Sequence, residues 1–347
     1  MLISLLLLAL CLYTLITHKG SSITLAPLSA RRGTTELVKF IASLLVVNGH
    51  WFLFEAKLLE WAKELNVGAL CVSLFLMFSG YGLSCAYMSK GDEYLKGFIR
   101  HRLGRIILPL VTAYTVSLLV YGLIKGSIDW HNVLTTLYWG GPYLKYSWYV
   151  TEIAVLYLIF LVTMRVGKSI MSKMVMLTSV VILLIALLVI TRQPIWYIIS
   201  LPTFLVGLWL PFIEGKIRVI SKPKVIMAAV TLSLLLFVFF RWTDITSGIE
   251  CLSAFRYEYI SMYAVNVVFV VMLLLVLKLS QNITNIQGRV LKCYYEVYLI
   301  QNCGMMIAKE LAHNLSLYWI LTMAVTILIA LMLNKINGVL TSFIFDE

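Results

Sequence analysis

The sequence predicts an all-α, polytopic transmembrane helix bundle of about 11 spans. Three observations carry that reading. Of the 347 residues, 61% are hydrophobic and only 13% are charged, with mean hydropathy +0.94. A soluble domain carries about 25% charged residues, so half that charge cannot cover a water-facing surface. The apolar residues fall into eleven runs close to the ~17–25 residues that a membrane-crossing helix needs. The runs are too long, and alternate too little, to be β-barrel strands. The shortage of charge excludes a soluble globule, a disordered chain and a disulfide scaffold, and composition uniform along the chain reads as one membrane-embedded unit.

The runs are 1–17, 36–54, 69–88, 105–125, 148–166, 174–190, 196–213, 225–240, 259–279, 293–309 and 316–334. The first, MLISLLLLALCLYTLIT, lacks a basic leader and a small-residue cleavage site, and its positive charges follow it. It reads as an uncleaved span with the N-terminus outside, not as a signal peptide. The weakest run is 293–309, which contains Glu296, Gln301 and Asn302. Short connections hold the charges, Pro and Gly, as in GKIRVISKPK at 215–224. Five of the six cysteines lie in apolar runs and Cys251 in a loop, with no CxxC and no zinc spacing. They read as small hydrophobes, and no metal site is expected.

Lys and Arg near the helix ends orient the bundle. One set of alternate segments, from Lys19, Arg31 and Arg32 through to Lys335, holds 19 of them, and the other set holds 8. The first set is therefore cytoplasmic, which also puts the C-terminus inside. The outer set carries eight acids and is neutral. The net charge of +12 is thus mostly topology, and nucleic-acid binding is excluded. The expected location is a cell (plasma or inner) membrane, crossed many times.

An ionisable group inside a span is costly and is a functional candidate by default. Lys39, Glu152 and Glu296 are three, and His50 ends an otherwise apolar span. Lys39 and His50 are eleven residues apart, so on a helix they lie about 20° from eclipsed and ~16 Å apart along the axis. They share a face, Lys39 near the cytoplasmic end and His50 near the outer end. Either that face lines a cavity, or Lys39 snorkels and His50 is interfacial. Glu152 follows Ser147, Trp148 and Tyr149 at the outer start of the fifth span, at about the depth of His50. A carboxylate there can fix the tautomer of an imidazole acting as general base, or it can be a structural ion pair. In KGFIRHRLGRIILP at 96–109, Arg102 and Arg105 sit at i, i+3 and point the same way if helical. Two guanidiniums on one side suit phosphates, and they equally suit positive-inside anchoring.

From about Glu36 to about Trp319, these residues resemble the membrane acyltransferase family called acyltransferase-3. Lys39 and His50 fit its basic residue, ten others, then His, with Lys where Arg is commoner. GALCVSLFLMFSGYGLS at 68–84 is similar to its aromatic run ending in Ser-Gly, here Ser79 and Gly80. Phe98, Arg102, Arg105, Ile106 and Pro109 match a third signature, and Trp148, Tyr149, Glu152 and Tyr157 a fourth. YYEVYLIQN near the end resembles a late Tyr-x-x-Tyr-Leu-Ile-His, with Gln301 in place of His, so that position is set aside from catalysis.

The resemblance implies a ten-span acyltransferase core plus one leading helix. It divides the chain into 1–35, an extra helix and cytoplasmic linker, 36–334, the acyltransferase domain, and 335–347, a short cytoplasmic tail. It implies transfer of an acyl group, most often acetyl, from cytoplasmic acyl-CoA (acetyl-CoA) to a hydroxyl of a cell-surface glycan or lipid-linked sugar. No permanently bound cofactor is expected. His50 and Glu152 are the expected catalytic residues, and Lys39, Arg102 and Arg105 the donor-binding ones. Asn48 and Ser79 are candidates for the oxyanion, and Trp148 and Tyr149 for substrate contact. Lys39 lacks the planar fork of Arg, so a bidentate role there is not expected. With the sequence ending at Glu347, the membrane unit is expected to complete the transfer without the esterase-like domain of some members. The alternative is a transporter or exporter of a polar or lipid-linked metabolite using Lys39, Glu152 and Glu296. The lack of an internal repeat or matched broken helices counts against it. The aromatic segment DWHNVLTTLYWGGPYLKYSW at 129–148 suits either sugar faces or the membrane interface.

Overall fold

Each apolar run becomes one helix. The computed structural model describes residues 2–17, 20–25, 27–52, 67–131, 133, 143–247, 258–279 and 288–345. Lys19, Lys57, Lys63, Cys251, Arg256 and half of the aromatic segment 129–148 lie outside the described residues. Among those described there are eleven helices of 16 residues or more. They are α1 Leu2–Thr17, α2 Arg32–Trp51, α3 Val67–Lys90, α4 Gly104–Lys125, α5 Trp148–Val166 and α6 Ile170–Ile190. They continue as α7 Leu201–Lys216, α8 Lys222–Ser247, α9 Glu258–Leu279, α10 Tyr294–Leu311 and α11 Leu315–Phe345. The fold is all-α and polytopic. α11 continues past the apolar run, which ends at 334, to Phe345, and buries Asn337 on the way.

Eight of these helices are long and apolar enough to cross a membrane on length and composition alone. The other three are α1, which is apolar but short, and α2 and α10. α2 carries Arg32, Glu36, Lys39 and His50, and α10 carries Glu296, Gln301 and Asn302. Polar groups on a span are tolerated where it faces other helices rather than lipid. The two least lipid-like helices are also the two that meet at the site described below.

The chain divides into two compact units. One comprises Met1–Thr35, Val72–Ser89 and Ile182–Ile286. Here α1 packs on α8 and α9 through Leu7, Cys11 and Leu15, spaced four apart on one face and nearly fully buried. Close backbone approach joins α3 to α7: a Cβ at Gly207 would lie 2.0 Å from the Met77 carbonyl oxygen, which only glycine avoids. A two-stranded ladder pairs β1 Ser22–Thr24 antiparallel with β2 Val219–Ser221. Glu214 of α7 is buried and accepts from Leu28 N (3.0 Å), Tyr81 OH (2.8 Å) and Lys278 Nζ. Arg31 donates to the carbonyls of Leu277 and Lys278. The ladder and this cluster fasten the linker after α1 to the ends of α3, α7 and α9.

The other unit comprises Glu36–Cys71, Lys90–Val181 and Gln287–Glu347. α10 packs along α11 and against α4. A buried polar chain pins the three together: Asn337 Nδ2 donates to Glu296 Oε1 (3.1 Å), and Thr112 Oγ1 donates to Asn337 Oδ1 (2.7 Å). Glu296 thus has a structural partner, as a buried polar group in a span requires. Within each unit, ties between connecting segments join segments of the same alternate set. Examples are Ser22 with Ser221, Lys173 with Asp92, and Arg100 with the Ile344 carbonyl.

Candidate active site

α2 presents His50 one residue before its C-terminal end, and α10 presents Gln301 opposite. His50 Nδ1 and Gln301 Oε1 are 2.8 Å apart. At the other end of the same face, Lys39 Nζ lies 5.2 Å from the centroid of the Tyr294 ring. Lys39 and His50 are eleven residues apart on α2, and their partners Tyr294 and Gln301 are seven apart on α10, in the same order. The two helices therefore run parallel, as two spans of the same direction must.

The hydrogen bonds fix the imidazole's tautomer. Gln301 Nε2 donates to the Tyr298 carbonyl (2.8 Å), so its Oε1 is the atom facing His50. An amide oxygen only accepts, so Nδ1 carries the proton and the lone pair of the neutral ring is on Nε2. The Tyr298 hydroxyl donates to the Tyr146 carbonyl. The Tyr146 ring stacks on His50, with centroids 4.0 Å apart and planes 11° apart. Tyr146 has φ 74°, a left-handed conformation that costs a non-glycine residue about 1–3 kcal/mol. The circuit His50–Gln301–Tyr298–Tyr146 holds the imidazole by one nitrogen and one face. Lys145 sits 5.2 Å from the Tyr146 ring centroid and adds a cation at this end of the site.

The structure does not join Glu152 to His50. Glu152 is buried, and neither carboxyl oxygen has a hydrogen-bond partner among the described residues. The place beside Nδ1 is taken by Gln301 of α10. Of Glu152's neighbours, Tyr149 is buried edge-on to Tyr298 with centroids 5.6 Å apart, and Trp148 is half-buried. Asn48 is two residues, about 200°, around α2 from His50. Its Oδ1 accepts from Trp319 Nε1 at 2.8 Å. Ser79 belongs to the other unit and is half-buried.

Arg102 and Arg105 are separated by a local change of helix type. Ile99–Leu103 forms a π-helical turn, closed by Gly104 N donating to the Ile99 carbonyl, and α4 begins at Gly104. Arg102 lies over the Tyr94 ring at 5.0 Å, while Arg105 is exposed. A π turn breaks the i, i+3 alignment that a continuous α-helix would give.

Gln301, Tyr298 and Tyr146 were not reached from sequence as site residues. Gln301 and Tyr298 did carry a signal, as polar groups three apart in the most polar of the eleven runs. No curated protein and no solved structure matches the chain. A family model described as an acyltransferase domain matches residues 35–335, which hold every side chain of the constellation around His50. The chain therefore belongs to the acyltransferase-3 family of membrane acyltransferases.

Proposed function

We propose that this membrane acyltransferase moves an acetyl group from cytoplasmic acetyl-CoA to a hydroxyl of a cell-surface glycan or lipid-linked sugar. His50 is the general base of that reaction. The observation that carries the reading is the bond from His50 Nδ1 to Gln301 Oε1 at 2.8 Å, which leaves the basic lone pair on Nε2. In the reaction, Nε2 takes the proton of the acceptor hydroxyl as its oxygen bonds to the thioester carbonyl carbon. The tetrahedral intermediate then collapses, the C–S bond breaks, and the imidazolium returns the proton to the departing thiolate. Gln301 positions the ring and does not touch the reacting atoms.

The other candidates take roles that fit their surroundings. Arg102 and Arg105 meet donor phosphates, and Lys39 meets the donor along the face that leads to His50. Glu152, with carboxyl oxygens unused among the described residues, receives acceptor hydroxyls, and Trp148 and Tyr149 contact the substrate. Within this unit Asn48 is the candidate for the oxyanion: it has its amide nitrogen to offer, because its oxygen is held by Trp319.

His50→Gln tests the reading: it keeps a hydrogen-bonding group of similar reach but cannot accept a proton near neutral pH. General-base catalysis contributes ~10²–10⁴-fold, and turnover of radiolabelled acetyl-CoA by purified protein should fall by about that factor. Near-normal turnover by a correctly inserted His50→Gln protein would place the base elsewhere.

A further inference from the structure

The unit that holds the His50 site also contains a cavity that plays no part in the chemistry above. Its volume is about 280 Å³ and it is lined by Asp92, Leu95, Lys96 and Arg165. Three of these four lie on the loop between α3 and the π turn. Glycines with positive φ, Gly91 at 57° and Gly97 at 65°, shape that loop at both ends. Tyr94 and Leu95 are buried, and Tyr94 packs edge-on against Phe98 and Phe160, so the loop is anchored in the core of its unit.

The charges around the cavity do not cancel. Asp92 is paired with Lys173 at 2.9 Å, and Glu93 with Lys96 at 2.6 Å. Arg165 has no carboxylate partner among the described residues. Its contact with the Leu95 carbonyl is 3.5 Å, at the long limit of a hydrogen bond. A guanidinium offers five N–H donors, so most of those of Arg165 are uncommitted. Arg102, over Tyr94 on the same loop, adds a second guanidinium with no carboxylate partner among the described residues. Two paired carboxylates beside four cations leave a local surplus of positive charge.

We propose that this cavity is a phosphate subsite that takes one phosphate group of the acyl donor, with Arg165 as the residue that grips it. The proposal rests on the acyl-CoA reading and adds a residue and a place to it. Coenzyme A carries a diphosphate and a separate ribose phosphate. Arg102 and Arg105 supply two forks for three phosphates in all, which leaves one phosphate without a fork of its own. Arg165 supplies that fork, in the planar geometry that matches two phosphate oxygens. Lys96 lies at the rim.

The test is CoA binding by the full chain in nanodiscs of neutral lipid, measured by calorimetry at fixed ionic strength. Arg165→Ala should weaken CoA binding about tenfold or more, the scale of a charged hydrogen-bond pair. Arg165→Lys should recover part of the loss, since it keeps the charge without the fork. Asp92→Asn removes a carboxylate from the wall and frees Lys173, and should tighten CoA binding several-fold, a gain that misfolding cannot imitate. Binding of CoA that ignores all three substitutions overturns the subsite and leaves the donor reading standing. Wild-type protein that binds inorganic pyrophosphate but not CoA overturns the subsite's assignment to the donor together with the donor reading. Arg165-dependent binding that appears only in nanodiscs containing phosphatidylglycerol overturns the donor assignment in favour of a lipid headgroup.

Discussion

A neutral amide behind a general base acts differently from a carboxylate. It fixes the tautomer by accepting from Nδ1, but it brings no charge to offset the imidazolium. With His50 as the proposed base, Gln301 would serve by orientation, and its removal should show in turnover more than in donor affinity. Gln301→Leu leaves a donor unpaired at Nδ1. At about 1–3 kcal/mol for an unsatisfied group, kcat should fall roughly 5- to 150-fold with little change in KM for the donor. Gln301→His, which offers a ring nitrogen as acceptor, should keep most of the activity. On a His50→Ala background, Gln301→Leu should cost nothing further, because residues acting as a unit are not additive. A further loss in that double variant would show that Gln301 acts apart from His50. Lys39 and His50 were legible in the sequence because one helix fixes the geometry between them. The partner of His50 was not, because Gln301 is 251 residues away and reaches it only through the packing of two helices. The carboxyl of Glu152, read from sequence at about the depth of His50, makes no hydrogen bond among the described residues, and Gln301 stands beside Nδ1.

Helices were the most legible elements, since a run of about twenty apolar residues carries its own signal. What joins them was less so. Glu214 is a single acid near the end of an apolar run, with nothing in the sequence to pair it with Lys278, Tyr81 and the Leu28 amide. The ladder of Ser22–Thr24 with Val219–Ser221 is three residues per strand, too short for any alternation to show. The π turn at Ile99–Leu103 likewise has no sequence period of its own, and it changes how Arg102 and Arg105 are presented. The Glu214 cluster gives a stability test. Both side chains of the pair are at most one-tenth exposed, so Lys278→Ala leaves a buried carboxylate without its cation. Breaking a buried pair in this way costs about 3–5 kcal/mol, whereas replacing both partners by neutral groups is often near neutral. Lys278→Ala should therefore unfold far more readily in detergent, and Lys278→Met with Glu214→Gln should recover most of the loss. Equal stability of Lys278→Ala and the wild-type protein would mean that the pair does not hold the linker.

The positive charge of the whole molecule belongs to its topology. An even spread of Lys and Arg would carry no orientation, but 19 of the 28 fall in one set of alternate segments. The structure adds an independent constraint within each unit, because the ties it forms respect that same alternation. Ser22 pairs with Ser221, and Arg165 reaches Leu95, all in the basic set; His50 and Trp319 lie near the other ends of their helices, and Tyr146 in the turn before α5. Such ties agree with the segments of one set sharing a side, and the positive-inside rule makes the basic set the one expected in the cytoplasm. Single cysteines at Lys90, Lys168 and Arg218, and at Lys125 and Lys309, would test the assignment in a background lacking the native cysteines. All five positions are exposed. An impermeant maleimide added to intact cells should label positions 125 and 309 and leave 90, 168 and 218 unlabelled until the membrane is opened. The reverse pattern would put Arg102, Arg105 and Arg165 on the side away from cytoplasmic acyl-CoA. The donor could not then reach them, and both the route to His50 and the phosphate subsite would fall with the orientation.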